Sequence, residues 1–216
     1  MKYWLTQSLL NSWIHWRESD EQFEPSAWES FLSALRCTPQ EPTRAMLNGR
    51  KFEAMVNTIV AGYTPEDAPN GRWVRAADQF ARICSGGQPQ VRLADELSAY
   101  GLELCLFGIA DYVKAGTIYD IKKVGRYEYG KYLQSPQHPM YLHLLPQAMK
   151  FTYLIFDGTR CYKETYRRPD AQPIQEIITE FLGFLDFAGL LDTYKTNWAM
   201  TPRREERFND VYRLRK

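Results

Sequence analysis

Apolar side chains recur at helical spacing through the first third of the chain and give way to alternating, β-branched runs in the middle. Leu9, Leu10, Trp13 and Ile14 behind Thr6 or Ser8 predict a first helix, and Pro25-Ser26 opens a second through Trp28, Phe31 and Leu32. A third starts near Pro42-Thr43 and carries Phe52, Met55, Val56 and Ile59 to a stop at Ala61-Gly62. A fourth runs from about Arg72 to Cys84, ended by Gly86-Gly87.

From about Val91 the period changes. Leu102 to Phe107, Ile109 to Val113 and Thr117 to Lys122 read as three consecutive strands. A helix follows Ser135-Pro136, a second hairpin forms from Lys150 to Phe156 and Cys161 to Tyr166 around Asp157-Gly158, and one helix spans Pro173 to Leu191. Helices, then three strands, a helix and further strands indicate an α/β (α+β) domain with a central mixed sheet.

The hairpin in the middle holds the candidate chemistry. With Ala115-Gly116 as a two-residue turn, Lys114 pairs with Thr117, Val113 with Ile118, Tyr112 with Tyr119, and Asp111 meets Asp120. Like charges opposite each other are destabilising, so a positive group is expected between them. Alternation along the strand sets Lys122 on the face of Asp120, with Tyr119, Ile121 and Lys123 on the other. A divalent cation held by carboxylates would neutralise the pair and leave the lysine free to act.

A chain of 216 residues suits one domain. It divides into a mainly helical part (1–88) carrying Glu53, an α/β core (89–170) and C-terminal helices (171–216). A formal charge of +1 leaves no global basic field, so contact with nucleic acid must come from a local patch. No apolar run is long enough to span a bilayer and the first residues lack the zones of a signal peptide, which predicts a cytoplasmic protein without a membrane partner. Cys37, Cys84, Cys105 and Cys161 are scattered with no C-x-x-C pair, so neither a zinc ribbon nor an iron-sulfur cluster is expected.

Two further motifs flank the hairpin: Gly49-Arg50-Lys51-Phe52-Glu53 upstream and Gln137-His138-Pro139-Met140-Tyr141 downstream, the latter with Gln137 and Tyr141 on one helix face. With Gly108-Ile109-Ala110-Asp111 and Asp120-Ile121-Lys122, this order resembles the PD-(D/E)XK nuclease superfamily, in particular its RecB-like and lambda-type exonuclease branch. The opening Leu5-Thr6-Gln7-Ser8-Leu9-Leu10 is similar to the start of RecB-type nuclease domains. The chain departs from the pattern at Ala110, where the superfamily name has proline, and at Glu53, where many RecB-like members have histidine.

The resemblance implies a restriction-endonuclease-like fold with Glu53, Asp111, Asp120 and the Ile121 carbonyl as ligands to Mg2+ or Mn2+, and Lys122 as the catalytic lysine. Gln137 and Tyr141 would support the site and contact the nucleic-acid backbone. The implied activity is metal-dependent DNA hydrolysis, as an exonuclease in recombination or repair of phage or prophage type. The implied partners are linear duplex or single-stranded DNA and a single-strand annealing protein; lambda-type exonucleases also form homo-oligomeric rings around DNA.

Other readings remain at this level. By residue type alone, Glu53 suits an exposed carboxylate paired with Lys51 or Arg50. Lys123, Arg126 and Lys131, interleaved with Tyr127, Tyr129 and Tyr132, suit either a phosphate-tracking, base-stacking patch or a solvated loop. Trp4, Trp13 and Trp16 are expected in the core. Arg203, Arg204, Arg207, Arg213, Arg215 and Lys216 alternate with acids as on an ordinary exposed helix. The same site would serve a structure-selective or restriction-type endonuclease, and the same fold a non-cleaving nucleic-acid-binding module.

Overall fold

A computed structural model of the chain describes residues 1–212. Its elements run β1 (Lys2–Thr6), α1 (Gln7–Arg17), α2 (Glu24–Leu35), α3 (Arg44–Val60), α4 (Gly71–Cys84), β2 (Gln88–Ala99), β3 (Leu102–Lys114) and β4 (Thr117–Lys123). They continue with α5 (Gln137–Leu144), β5 (Lys150–Phe156), β6 (Cys161–Arg167), α6 (Ile174–Phe187), α7 (Leu191–Asn197) and α8 (Pro202–Tyr212). The chain is therefore mixed α/β, built on a six-stranded mixed sheet. No helix among the described residues is long and apolar enough to cross a membrane.

β3 is the axis of the sheet. β2 runs antiparallel along one of its edges, from Ala99↔Leu102 to Gln88↔Val113. The other edge is shared by two strands in succession: β1 pairs in parallel with Glu103 to Phe107, and β4 pairs antiparallel only with Tyr112 to Lys114. β4 then continues beside β5 in parallel, and β6 closes the sheet as the antiparallel partner of β5. Between Phe107 and Tyr112 the β3 edge has no strand partner, and there the sheet forks.

Turn chemistry sets the hairpin register. Ala115 and Gly116 have φ of 47° and 71°, the paired positive values a type I′ turn requires. Lys114↔Thr117, Val113↔Ile118 and Tyr112↔Tyr119 pair as the sequence predicts. Asp111 and Asp120 do not continue the ladder, because β4 diverges toward β5 at that point.

Apolar side chains pack on both faces of the sheet. α3 and α4 cover one face with Phe52, Met55, Val56, Trp73, Ala77 and Phe80, against Tyr112, Ile121, Leu154 and Phe156. The larger cluster joins α1, α2, α5 and α6 to the rest, and its aromatic members include Trp4, Trp13, Phe31, Phe181 and Tyr194. Trp4 and Trp13 are buried and Trp16 is packed in an aromatic group with Trp28, Phe31 and Phe184, as the sequence predicts.

Three sequence expectations change. β1 takes the residues just before the first predicted helix. The two strands predicted at Leu102 to Phe107 and Ile109 to Val113 are one, running through Gly108. The helix predicted over Pro173 to Leu191 breaks into α6 and α7 at Gly189, whose φ of 69° lies in the left-handed region. Arg203, Arg204 and Arg207 lie on α8. Arg213, Arg215 and Lys216 fall outside the described residues.

Candidate active site

The fork leaves backbone groups of β3 and β4 without ladder partners, and side chains supply them. The Tyr141 hydroxyl accepts from Ile109 N at 3.0 Å and donates to Ile109 O at 2.8 Å, filling the gap between β1 and β4. Its ring reaches that place because residue 108 is glycine: a Cβ there would stand 2.9 Å from Tyr141 Cζ. Across the fork, Asp111 Oδ2 accepts from Ile121 N at 2.7 Å. The N–H and C=O of one strand residue point to the same edge, so the Ile121 carbonyl also faces the fork.

Asp120 lies on β4 with 6% exposure, one carboxylate oxygen accepting from the Gln137 amide and the other 2.7 Å from Lys122 Nζ. Asp120 is the buried half of this pair; the Lys122 side chain keeps 30% exposure, so solvent reaches the ammonium. Alternation places Asp120 and Lys122 on one face, with Lys122 Nζ 5.9 Å above the Tyr153 ring. Ile121 and Lys123 lie on the other face, as predicted. Lys123 Nζ donates to Val124 O and sits over Trp73 and Phe156, at 5.5 and 5.3 Å from the ring centroids. Lys123 is thus turned to the α3–α4 core rather than to the carboxylates.

Glu53 reaches the fork from α3. Asn57, one turn further along that helix, accepts from the Tyr112 hydroxyl at 2.5 Å and ties the helix to β3. Glu53 is half-buried and accepts from Gln90 Nε2 at 2.9 Å. No sequence motif pointed to Gln90. It stands between Pro89↔Tyr112 and Val91↔Ala110, opposite Asp111, with a φ of 49° that costs a non-glycine residue about 1–2 kcal/mol. Gly49 of the upstream motif has open space around it.

α5 brings Gln137 and Tyr141 to the fork from the opposite face. Pro139 sits in its first turn, where the missing N–H is harmless. The carbonyl end of α5 is gripped by Arg168, whose guanidinium donates to Leu142 O, to Leu145 O at 2.8 Å and to Ala148 O at 2.7 Å. Both predicted side chains converge, Gln137 on Asp120 and Tyr141 on Ile109, and both are buried. They shape the site from behind its surface.

The electrostatics follow from three carboxylates whose charges act on one another. Burial, then the Asp120 and Glu53 charges, push Asp111 well above the usual carboxylate range, against the Ile121 N–H and Lys122. Burial raises Glu53 as well; the Gln90 hydrogen bond opposes it and the Asp120 charge adds to it. Burial pulls the Lys122 ammonium down, but Asp120, Asp111 and Glu53 more than offset this and hold it above its usual value. Lys122 is therefore charged at neutral pH.

Among the described residues no group of three or more His, Cys, Asp or Glu side chains stands ready to hold a metal ion. One oxygen each of Glu53 and Asp111 accepts from Gln90 and from the Ile121 N–H, and the two Asp120 oxygens meet Gln137 and Lys122. The donor set itself, all oxygen and mutually repelling, has the chemistry of a hard divalent site. Binding would exchange those hydrogen bonds for coordination. The cysteines lie elsewhere: Cys37 is exposed, Cys161 is partly buried, and burial pushes the Cys84 thiol up to about 12 and the Cys105 thiol up to about 11.

Arg126 and Lys131 lie on the loop joining β4 to α5, exposed to solvent. Tyr127 and Tyr132 of the same loop are packed inward, whereas Tyr129 is exposed.

No family model and no curated protein matches the chain. A solved structure, "Crystal structure of SSO0001", is similar to it with a TM-score of 0.52 at 13% identity, covering 87% of this chain and 77% of that one. At that identity the likeness concerns the fold alone.

Proposed function

We propose that the chain is a divalent-metal-dependent DNA nuclease of the PD-(D/E)XK type, an exonuclease of recombination or repair acting in the cytoplasm, of phage or prophage origin. The observation that carries this reading is the fork. Asp120 and Lys122 pair there on β4, and the charges of Glu53 from α3 and Asp111 from β3 act on them, which supports a shared site where β3 and β4 part.

Glu53, Asp111, Asp120 and the Ile121 carbonyl would hold Mg2+ or Mn2+, which supplies a water of lowered pKa and positive charge at the scissile phosphate. Lys122 is held charged by Asp120, which suits it to orient that water and stabilise the phosphoryl oxygens rather than to take up a proton. Gln137 fixes the Asp120 carboxylate. Tyr141 keeps the fork open by replacing a strand with one hydroxyl.

The test compares wild type with Asp120→Ala on end-labelled linear duplex, linear single strand and covalently closed circular DNA, with Mg2+, Mn2+ or EDTA. Loss of linear DNA alone, abolished by EDTA and reduced at least about 10³-fold in the variant, is expected if the predicted site cuts from ends. Cutting of the closed circle would replace the exonuclease assignment with an endonuclease. Binding without cleavage of any substrate would overturn the enzyme.

A further inference from the structure

Two site residues bracket a single loop. Lys122 stands one residue before the end of β4, and Gln137 opens α5 with its amide on Asp120, so residues 124–136 leave the fork and return to it. The loop is pinned from beneath. Glu164 on β6, 3% exposed, accepts from the Tyr127 hydroxyl at 2.5 Å, from Tyr132 N at 3.4 Å and from the neighbouring Tyr166 hydroxyl. Tyr132 stacks on Tyr153 with ring centroids 4.3 Å apart, and Tyr127 packs on Tyr162 at 4.7 Å.

Between these two anchors the third tyrosine is treated differently. Tyr129 is 89% exposed. Leaving a large ring in water forgoes the stabilisation that burying it would give, and the loop already shows how a tyrosine is buried here. Arg126, Glu128, Tyr129, Gly130 and Lys131 line a hollow of about 440 Å³. Two of these are cations, and Glu128 is paired with Arg126 at 2.7 Å. An exposed aromatic face beside cations is what a base and its adjoining phosphates need. Paired bases within a duplex present no free face, so the occupant is an unpaired strand.

We propose that Tyr129 is a stacking platform for a base of an unpaired nucleic-acid strand at the mouth of the fork, with Arg126 and Lys131 beside its phosphates. This rests on the nuclease reading. Glu164 and Tyr153 hold Tyr127 and Tyr132 on either side of the platform, in the loop that begins just after Lys122, so a base stacked on Tyr129 would help position the strand entering the site.

Binding is measured by fluorescence anisotropy in EDTA, where no cleavage is expected, with full-length protein and a labelled single-stranded oligodeoxynucleotide. A terminal 2-aminopurine reports stacking directly. Tyr129→Ala should weaken binding about tenfold, within the 1–3 kcal/mol that one stacked base contributes, and should abolish the 2-aminopurine quench. Tyr129→Phe should retain both, and a relaxed covalently closed circular duplex, which has neither ends nor loops, should bind both variants as wild type does. Wild-type affinity and quench in Tyr129→Ala, with wild type still cleaving DNA, would overturn the platform and leave the nuclease reading standing. A wild type that neither binds nor cleaves would remove both. An equal loss in Tyr129→Phe would also overturn stacking, since only the hydroxyl is gone.

Discussion

The two ends of the β3–β4 hairpin are built from the same strands and solve opposite problems. At the turn end, Tyr112 to Lys114 and Thr117 to Tyr119 pair backbone to backbone, and two positive-φ residues close the chain. At the fork end the ladder stops. Ile109 is served by a tyrosine hydroxyl and Ile121 by a carboxylate. A closed ladder has no free edge from which to present acids, water and a lysine together. The fork provides one, and the Ile109 N–H and C=O and the Ile121 N–H remain satisfied because α5 and Asp111 stand in for a missing strand.

This contrast can be broken from behind the fork, at it, and at the turn. The largest expected effect on stability comes from His138, next to Gln137 on α5. It is 3% exposed, stacked on Tyr166 at 3.9 Å, and burial pushes its pKa down to about 4. The unfolded chain takes up a proton near pH 6.5 that the folded chain refuses until about pH 4. Its contribution is therefore complete above pH 6.5 and is lost as pH falls from there through 4. The loss amounts to about 3 kcal/mol at 1.4 kcal/mol per unit. Urea denaturation at a series of pH values should show that decline, and His138→Phe should flatten it.

At the fork itself, Gly108→Ala puts a Cβ into the Tyr141 ring and should cost about 2 kcal/mol, the usual scale of overpacking. Tyr141→Phe strands the N–H and C=O of Ile109 and should cost about 1–3 kcal/mol. Because both act on one contact, the double variant should lose less than the sum in denaturant titrations. Full additivity would mean that Tyr141 does not hold the edge through Gly108. The smallest effect belongs to the turn. Ala115→Gly removes a left-handed alanine and should raise stability by about 0.5–1 kcal/mol, read as a higher denaturation midpoint with unchanged slope. A gain at the turn beside losses at the fork is the signature of a relaxed end and a constrained one.

Local chemistry explains what could be read in advance. Ala115-Gly116 dictated a two-residue turn, and from it followed the register of three pairs and the shared face of Asp120 and Lys122. The spacing of Gln137 and Tyr141 set them on one side of α5. β1 could not be recognised in the same way: five residues beside a helix cap become a strand by pairing in parallel with a partner a hundred positions away. Gly108 looks like a strand break by composition, yet it continues β3 and serves instead to admit a ring. Tyr127, Tyr129 and Tyr132 are alike in sequence. Only a buried glutamate on β6 and the ring of Tyr153 on β5 decide which are anchors and which is exposed.

The sequence by itself determined which residues carry charge toward the hairpin face, because strand alternation and turn geometry act within a few residues. The tertiary structure decided where β4 leaves β3, and therefore that Asp111 bonds Ile121 rather than facing Asp120 across a ladder. It also decided that a strained Gln90 on β2 holds Glu53, and that Lys123 turns to the α3–α4 core. These follow from competition among distant segments for the same edge and the same buried volume, which no local pattern records.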